Sequence, residues 1–99
     1  MMRFVWNEKK SRSNRAKHGI SFETAQFVFS DPFALSTLDR VVDGEERWQT
    51  LGSIASAVVV LVAHTVEAPE GEEVIRIISA RKATSRERKI YESQGQKTD

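Results

Sequence analysis

Two spacings of hydrophobic positions alternate along this chain and divide it into helices and strands. Phe4-Val5-Trp6 is a short apolar run that reads as a first strand, and Asn7 behind it is a good helix N-cap. From Glu8 to His18 the sequence is polar nearly all round and stops at Gly19, which predicts a basic, weakly amphipathic helix. Lys17 and His18 fall in its last turn, where cations suit the negative end of the helix dipole. Ser21 offers a second cap, and Phe22, Ala25, Val28 and Phe29 then recur at helical spacing, so a second helix buries one face before Asp31-Pro32 ends it.

Beyond Pro32 the pattern changes to extended runs. Residues 33–38 read as a strand, 39–46 as an acidic loop with Asp43-Gly44 as its turn signal, and 48–52 as a half-buried strand. Ala57 to Ala63 is continuously apolar and rich in β-branched residues, which places it centrally in a sheet and closes it on His64-Thr65. Residues 68–72 form a turn, and Val74 to Arg81 make a last strand carrying Arg76 and Arg81 among apolar neighbours. Thr84 and Glu87 stand at capping-box spacing and open a basic helix of about residues 85–93. Gly95 and the polar tail to Asp99 are expected to fray. The expected fold is a single α+β domain over residues 1–99: a basic two-helix segment at about 8–30, an antiparallel sheet of four to five strands centred on about 33–82, and one C-terminal helix.

Composition narrows the classes. With 99 residues, 39% hydrophobic and 29% charged, the chain has room for one core and the make-up of an ordinary soluble domain. No apolar run is long enough to cross a bilayer, the N-terminal residues turn charged before a signal-peptide core could form, and cysteine is absent. A cytoplasmic protein fits these features best. Net charge is only +1, but its distribution is uneven. Arg3, Lys9, Lys10, Arg12, Arg15 and Lys17 crowd residues 1–18, Arg81, Lys82, Arg86, Arg88 and Lys89 crowd residues 81–91, and acids dominate between. Basic segments of this kind face a polyanion, an acidic partner or solvent.

Tight turns near Ala55 and Glu70 set an expected register in which Glu46 opposes His64 and His64 opposes Arg76, bringing three ionisable groups to one end of one sheet face. Arg81 then lies toward the other end, near the last helix. A carboxylate, an imidazole and a guanidinium suit acid and base catalysis on a phosphodiester, and RNA supplies its own 2′-hydroxyl nucleophile, so no metal is required. Metal-ligand spacing, a phosphate-cradling glycine loop and a serine-nucleophile motif are all missing from the sequence. The same three residues also suit a cross-strand salt bridge beside a satisfied histidine.

The segments Phe4-Val5-Trp6-Asn7, Asn14-Arg15-Ala16-Lys17-His18-Gly19-Ile20-Ser21-Phe22-Glu23, Phe29-Ser30-Asp31-Pro32, Gly44-Glu45-Glu46-Arg47, His64-Thr65 and Arg76-Ile77-Ile78-Ser79-Ala80-Arg81-Lys82-Ala83, with Glu87 and Tyr91, together resemble the BrnT family of bacterial type II toxins. The likeness runs in order from Phe4 to Tyr91, nearly the whole chain. It implies a RelE-like fold, a metal-independent endoribonuclease that arrests translation without a cofactor, and a cognate BrnA-like antitoxin with a ribbon-helix-helix region. DNA contact would come through the joint complex at its own operator. The resemblance implies His64, Arg76, Arg81, Glu46 and Arg47 as catalytic residues, with arginines on phosphate oxygens and His64 as general base or acid. Lys17, His18, Arg15, Lys82 and Arg86 are the expected RNA-binding residues. The acidic stretch 66–73 departs from what a hairpin turn needs. The alternative is a non-catalytic module, derived from such a toxin, that binds an antitoxin or nucleic acid.

Overall fold

The computed structural model describes residues 2–55 and 57–95. The expected fraying of the tail, residues 96–99, lies outside them. In chain order the elements are β1 (Met2–Val5), α1 (Glu8–His18), α2 (Phe22–Ala25) running into a 3₁₀ segment (Gln26–Ser30), β2 (Leu35–Val42), β3 (Glu45–Ile54), β4 (Val58–Glu67), a short 3₁₀ turn (Pro69–Gly71), β5 (Glu73–Lys82) and α3 (Ser85–Gly95). The five strands form one sheet in the order β1-β5-β4-β3-β2. β2, β3, β4 and β5 are successively antiparallel, whereas β1 lies parallel to β5. The sheet is therefore mixed and not antiparallel throughout: β1 is separated from β5 by the rest of the domain, so no hairpin constrains its direction.

Several boundaries move for local reasons. The expected acidic loop is mostly strand: β2 and β3 extend until only Asp43 and Gly44 remain between them, both with positive φ, as a tight two-residue hairpin turn demands. The second helix breaks after one turn, α2 passing into 3₁₀ geometry while Phe22, Ala25 and Val28 stay fully buried. His64 and Thr65 lie inside β4 and do not end it.

The larger core lies between the sheet and α1 and α2. Ile20, Phe22, Ala25 and Val28 pack there against Val60, Val62, Ile75, Ile77 and Ala80. The other sheet face carries a smaller cluster, Leu51, Val59 and Leu61, covered by Ala83 and Tyr91 at the α3 end, and is otherwise open. α3 is tied down by the Tyr91 hydroxyl, which donates to the Asp31 carboxylate; Asp31 also accepts the backbone N–H groups of Ser53 (2.7 Å) and Phe33 (2.9 Å). Burial pushes the Asp31 carboxyl up, but these three donors outweigh it and hold the group below the usual carboxylate range. Burial and the Asp31 bond push the Tyr91 phenol up to about 12.

Where β1 ends, α1 takes over the edge of β5. The Asn14 side-chain amide donates to the carbonyls of Ile20 (2.7 Å) and Ala80 (2.8 Å), and its oxygen accepts the Ala80 N–H (3.2 Å). A helix side chain thus completes the ladder that a sixth strand would otherwise supply.

Gly52 marks the closest approach between sheet and 3₁₀ segment: a Cβ there would sit 2.6 Å from the Val28 Cγ1 and 2.9 Å from the Val28 carbonyl oxygen. One of those atoms is backbone, so relief requires the segment to move. Gly52→Ala is expected to cost about 1–3 kcal/mol, read as a lowered denaturant midpoint with an unchanged m-value.

Candidate functional site

Strand pleat places successive side chains on opposite faces, so register decides which ionisable groups meet. Trp48 pairs with His64, and His64 with Ile77. Between Ala63 and His64 the pairing with β5 shifts by one residue, leaving Ile78 as an extra residue in β5. Two consequences follow. The side chain opposite His64 is Ile77, while Arg76 pairs with Thr65 on the other face, so the expected grouping of Glu46, His64 and Arg76 does not form. Arg76 and Arg81, an odd number of positions apart, share the open face because the bulge reverses the alternation between them.

On the helix face His64 is 2% exposed. Its Nε2 lies 2.7 Å from the Thr50 hydroxyl, which lies 2.7 Å from the Ser36 hydroxyl, and its Nδ1 is 3.2 Å from the Thr65 carbonyl. That carbonyl can only accept, which sets Nδ1 as the protonated nitrogen and Nε2 as acceptor from Thr50. The Phe29 ring packs edge-on at 4.9 Å. Burial lowers the His64 pKa despite the bond to Thr65, so the ring is neutral at pH 7. A groove of about 370 Å³ passes His64, lined also by Met2, Trp48, Val66, Glu46 and Glu73. No cation lines it among the described residues. This groove is poorly suited to a polyanion.

The open face differs in charge. Arg40 pairs with Arg47 across β2 and β3, Thr65 pairs with Arg76 across β4 and β5, and extending the β3–β4 register by one residue puts Arg47 beside Thr65. The order Arg40, Arg47, Thr65, Arg76 crosses four strands, about 14 Å at ordinary strand spacing. Like charges directly opposite one another destabilise a sheet unless an anion sits between them. Carboxylates partly answer this: Asp39 lies 3.2 Å from Arg40, Glu45 lies 3.4 Å from Arg47, and Glu67 lies 3.2 Å from Arg76. The Glu45 contact is made to the Arg47 Nε, which is buried and in ion-pair range but forms no hydrogen bond, and the Thr65 Oγ1 is buried with no hydrogen-bond partner among the described residues. Cations set opposite one another cost stability, and an anion on the row would relieve their repulsion.

Arg81 stands further along the same face, gripped by Glu87 through two hydrogen bonds of 2.8 and 3.0 Å. Glu87 also accepts the Thr84 N–H (2.8 Å), completing the capping box. The bond from Arg81 is the main cause that holds the Glu87 carboxyl at about 2, against 4.5 when unperturbed. The folded carboxylate keeps its charge where the unfolded one protonates. The pair therefore stabilises the fold above pH 4.5 and loses that contribution as the pH falls toward 2. After allowance for screening at the partly exposed Arg81, about 1–2 kcal/mol is at stake. Glu87→Gln is expected to flatten the fall of stability in this window, measured by denaturant titration at stepped pH.

The other sequence-derived residues are dispersed. Arg15 and Lys17 are exposed and His18 half-buried on α1; Lys82 ends β5 and Arg86 opens α3, both exposed. Glu46 is exposed at the rim of the His64 groove. Arg40, Thr65 and Glu67 escaped the sequence reading, although the period-2 alternation of β4 carries the signal that Thr65 faces away from His64. Among the described residues no three His, Asp or Glu side chains converge as metal ligands, and no helix is long and apolar enough to cross a membrane.

Residues 6–87 match the family described as the ribonuclease toxin BrnT of type II toxin-antitoxin systems. Among solved structures, the 1.1 Å crystal structure of the Brucella abortus ribonuclease toxin BrnT matches with a TM-score of 0.59 at 25% identity, covering 86% of this chain and 100% of that one. No curated protein matches the chain.

Proposed function

Because the chain belongs to the BrnT family of ribonuclease toxins of type II toxin-antitoxin systems, we propose that its ribonuclease centre is the arginine row on the open sheet face. The observation that carries this reading is the row itself: Arg40 and Arg47 stand directly opposite one another, and Arg76 follows beyond Thr65 on the same face. Attack of the RNA 2′-hydroxyl on the adjacent phosphorus concentrates negative charge on the phosphoryl oxygens. Arg47 and Arg76 stabilise that charge with planar donor forks. Glu67, already beside Arg76, takes the 2′-hydroxyl proton, and the 5′-oxygen leaves as a 5′-hydroxyl, protonated by water, with a 2′,3′-cyclic phosphate behind it. Arg81, fixed by Glu87, extends the cationic surface toward α3.

No step of this scheme uses a metal. Cleavage of an end-labelled RNA in excess chelator, yielding 2′,3′-cyclic phosphate ends, tests it; products with 3′-hydroxyl ends, or activity that requires a divalent ion, would overturn it. The wider reading, a RelE-like toxin that arrests translation in the cytoplasm and is neutralised by a BrnA-like ribbon-helix-helix antitoxin, rests on the family alone. Repression of an operator by the joint complex belongs with it.

A second reading has one observation behind it: His64 and Glu46 line one groove. Acid-base catalysis there would need His64 to leave its bond to Thr50. A soluble, folded His64→Gln variant without ribonuclease activity, beside an active Arg76→Ala variant, would favour it.

A further inference from the structure

β1 pairs with β5 only as far as Arg76, and Asn14 of α1 occupies the edge again at Ala80. The interval between, around the bulged Ile78, opens into two depressions. One of about 380 Å³ is lined by Trp6, Lys10, Arg76 and Ile78 among others; the next, of about 280 Å³, by Lys10, Ser13, Lys17, His18 and Ile78. They share Lys10 and Ile78, so they are contiguous. No carboxylate lines either among the described residues. Lys10 and Lys17 enter none of the ion pairs formed among those residues. Trp6 is half-buried, with its indole N–H held by Glu8 at 3.1 Å. A held aromatic between cations is the arrangement with which proteins bind single strands, the ring stacking a base and the cations following the phosphates.

We propose that single-stranded RNA leaving the arginine row at Arg76 crosses the β5 edge at the Ile78 bulge and continues along α1, with a base on Trp6 and phosphates on Lys10 and Lys17. This path rests on the ribonuclease reading of the open face and extends it by naming the substrate class as unpaired RNA several nucleotides longer than the cleaved step. The bulge serves both parts of the path: it turns Arg76 onto the open face, and it places Ile78 where the two depressions meet.

The test uses uncleavable 2′-O-methyl RNA of three and of ten nucleotides, with affinity measured across a salt series. The parent is expected to bind the longer strand more tightly. The Lys10→Glu/Lys17→Glu variant is expected to lose that gain, and its salt slope to fall by about 1.4, from two phosphate contacts at about 0.7 each. The Lys9→Glu/Arg12→Glu variant has the same charge change on the same helix but alters neither depression, and should keep most of the gain. Equal loss in both variants would reduce the effect to diffuse charge and overturn the path, as would an unchanged gain in the first. Preference of the same surface for duplex DNA over single-stranded RNA would overturn it too. Failure of the parent to cleave any RNA would instead refute the ribonuclease reading beneath it.

Discussion

Arg76→Ala is expected to slow RNA cleavage by about a hundredfold or more, the usual loss when one preorganised donor to a developing oxyanion is removed. Its side chain is half exposed, and its one ion pair, to Glu67, is a surface pair of small worth, so the fold should survive almost unchanged. Arg76→Lys should recover part of the rate, since the charge returns but the planar fork does not. Arg47→Ala is expected to lose as much activity and somewhat more stability, because Arg47 is more deeply set beside Glu45. Combining the two should cost less than the sum of their separate losses in activation free energy, as for groups acting on one phosphate. Single-turnover cleavage, with thermal unfolding of each variant as control, checks all four statements.

Asn14→Ala is expected to have the largest effect on stability of any single polar change, about 2–4 kcal/mol. Three hydrogen bonds go at once, and the Ala80 N–H and the Ala80 and Ile20 carbonyls are left inside the fold without partners. Against a total stability of about 5–15 kcal/mol for a domain of this kind, that is a large share. Asn14→Asp should be nearly as damaging: its carboxylate can accept from Ala80 N–H but cannot donate to either carbonyl. Urea unfolding with unchanged m-values would support this, and a loss below about 0.5 kcal/mol would show that water replaces the amide.

Asn14 also shows what the sequence conceals. Spacing made α1 a helix and Asn7 its cap, and both hold. Nothing in a polar, basic helix distinguishes the asparagine that finishes a strand edge from neighbours that face solvent, because the partner is 66 residues away. The strands were legible in kind but short in extent, since the charged residues of β2 and β3 stand on an edge or an open face where burial does not select apolar side chains.

The candidate site was legible as a set of residue types and was misplaced by register, two residues between β3 and β4, where Trp48 and not Glu46 opposes His64, and one between β4 and β5. The Ile77-Ile78 doublet interrupts period-2 alternation, and that interruption is the bulge. Read as a regular strand, β5 sends Arg76 to the His64 face; read with the bulge, it joins Arg47 and Arg81. The family resemblance pointed to the same arginines and histidine without separating the faces. Only the pairing does that.

Titration of the protein with an uncleavable RNA trinucleotide, followed through arginine Nε–H and tryptophan indole N–H resonances, tests the open-face site most directly, because side-chain signals distinguish two faces that backbone amides of one strand do not. Shifts concentrated on Arg40, Arg47 and Arg76, with the Trp48 indole unmoved, are the expected result. A response at Trp48 and the His64 ring with the three arginines silent would move the ribonuclease centre to the helix face and contradict the account.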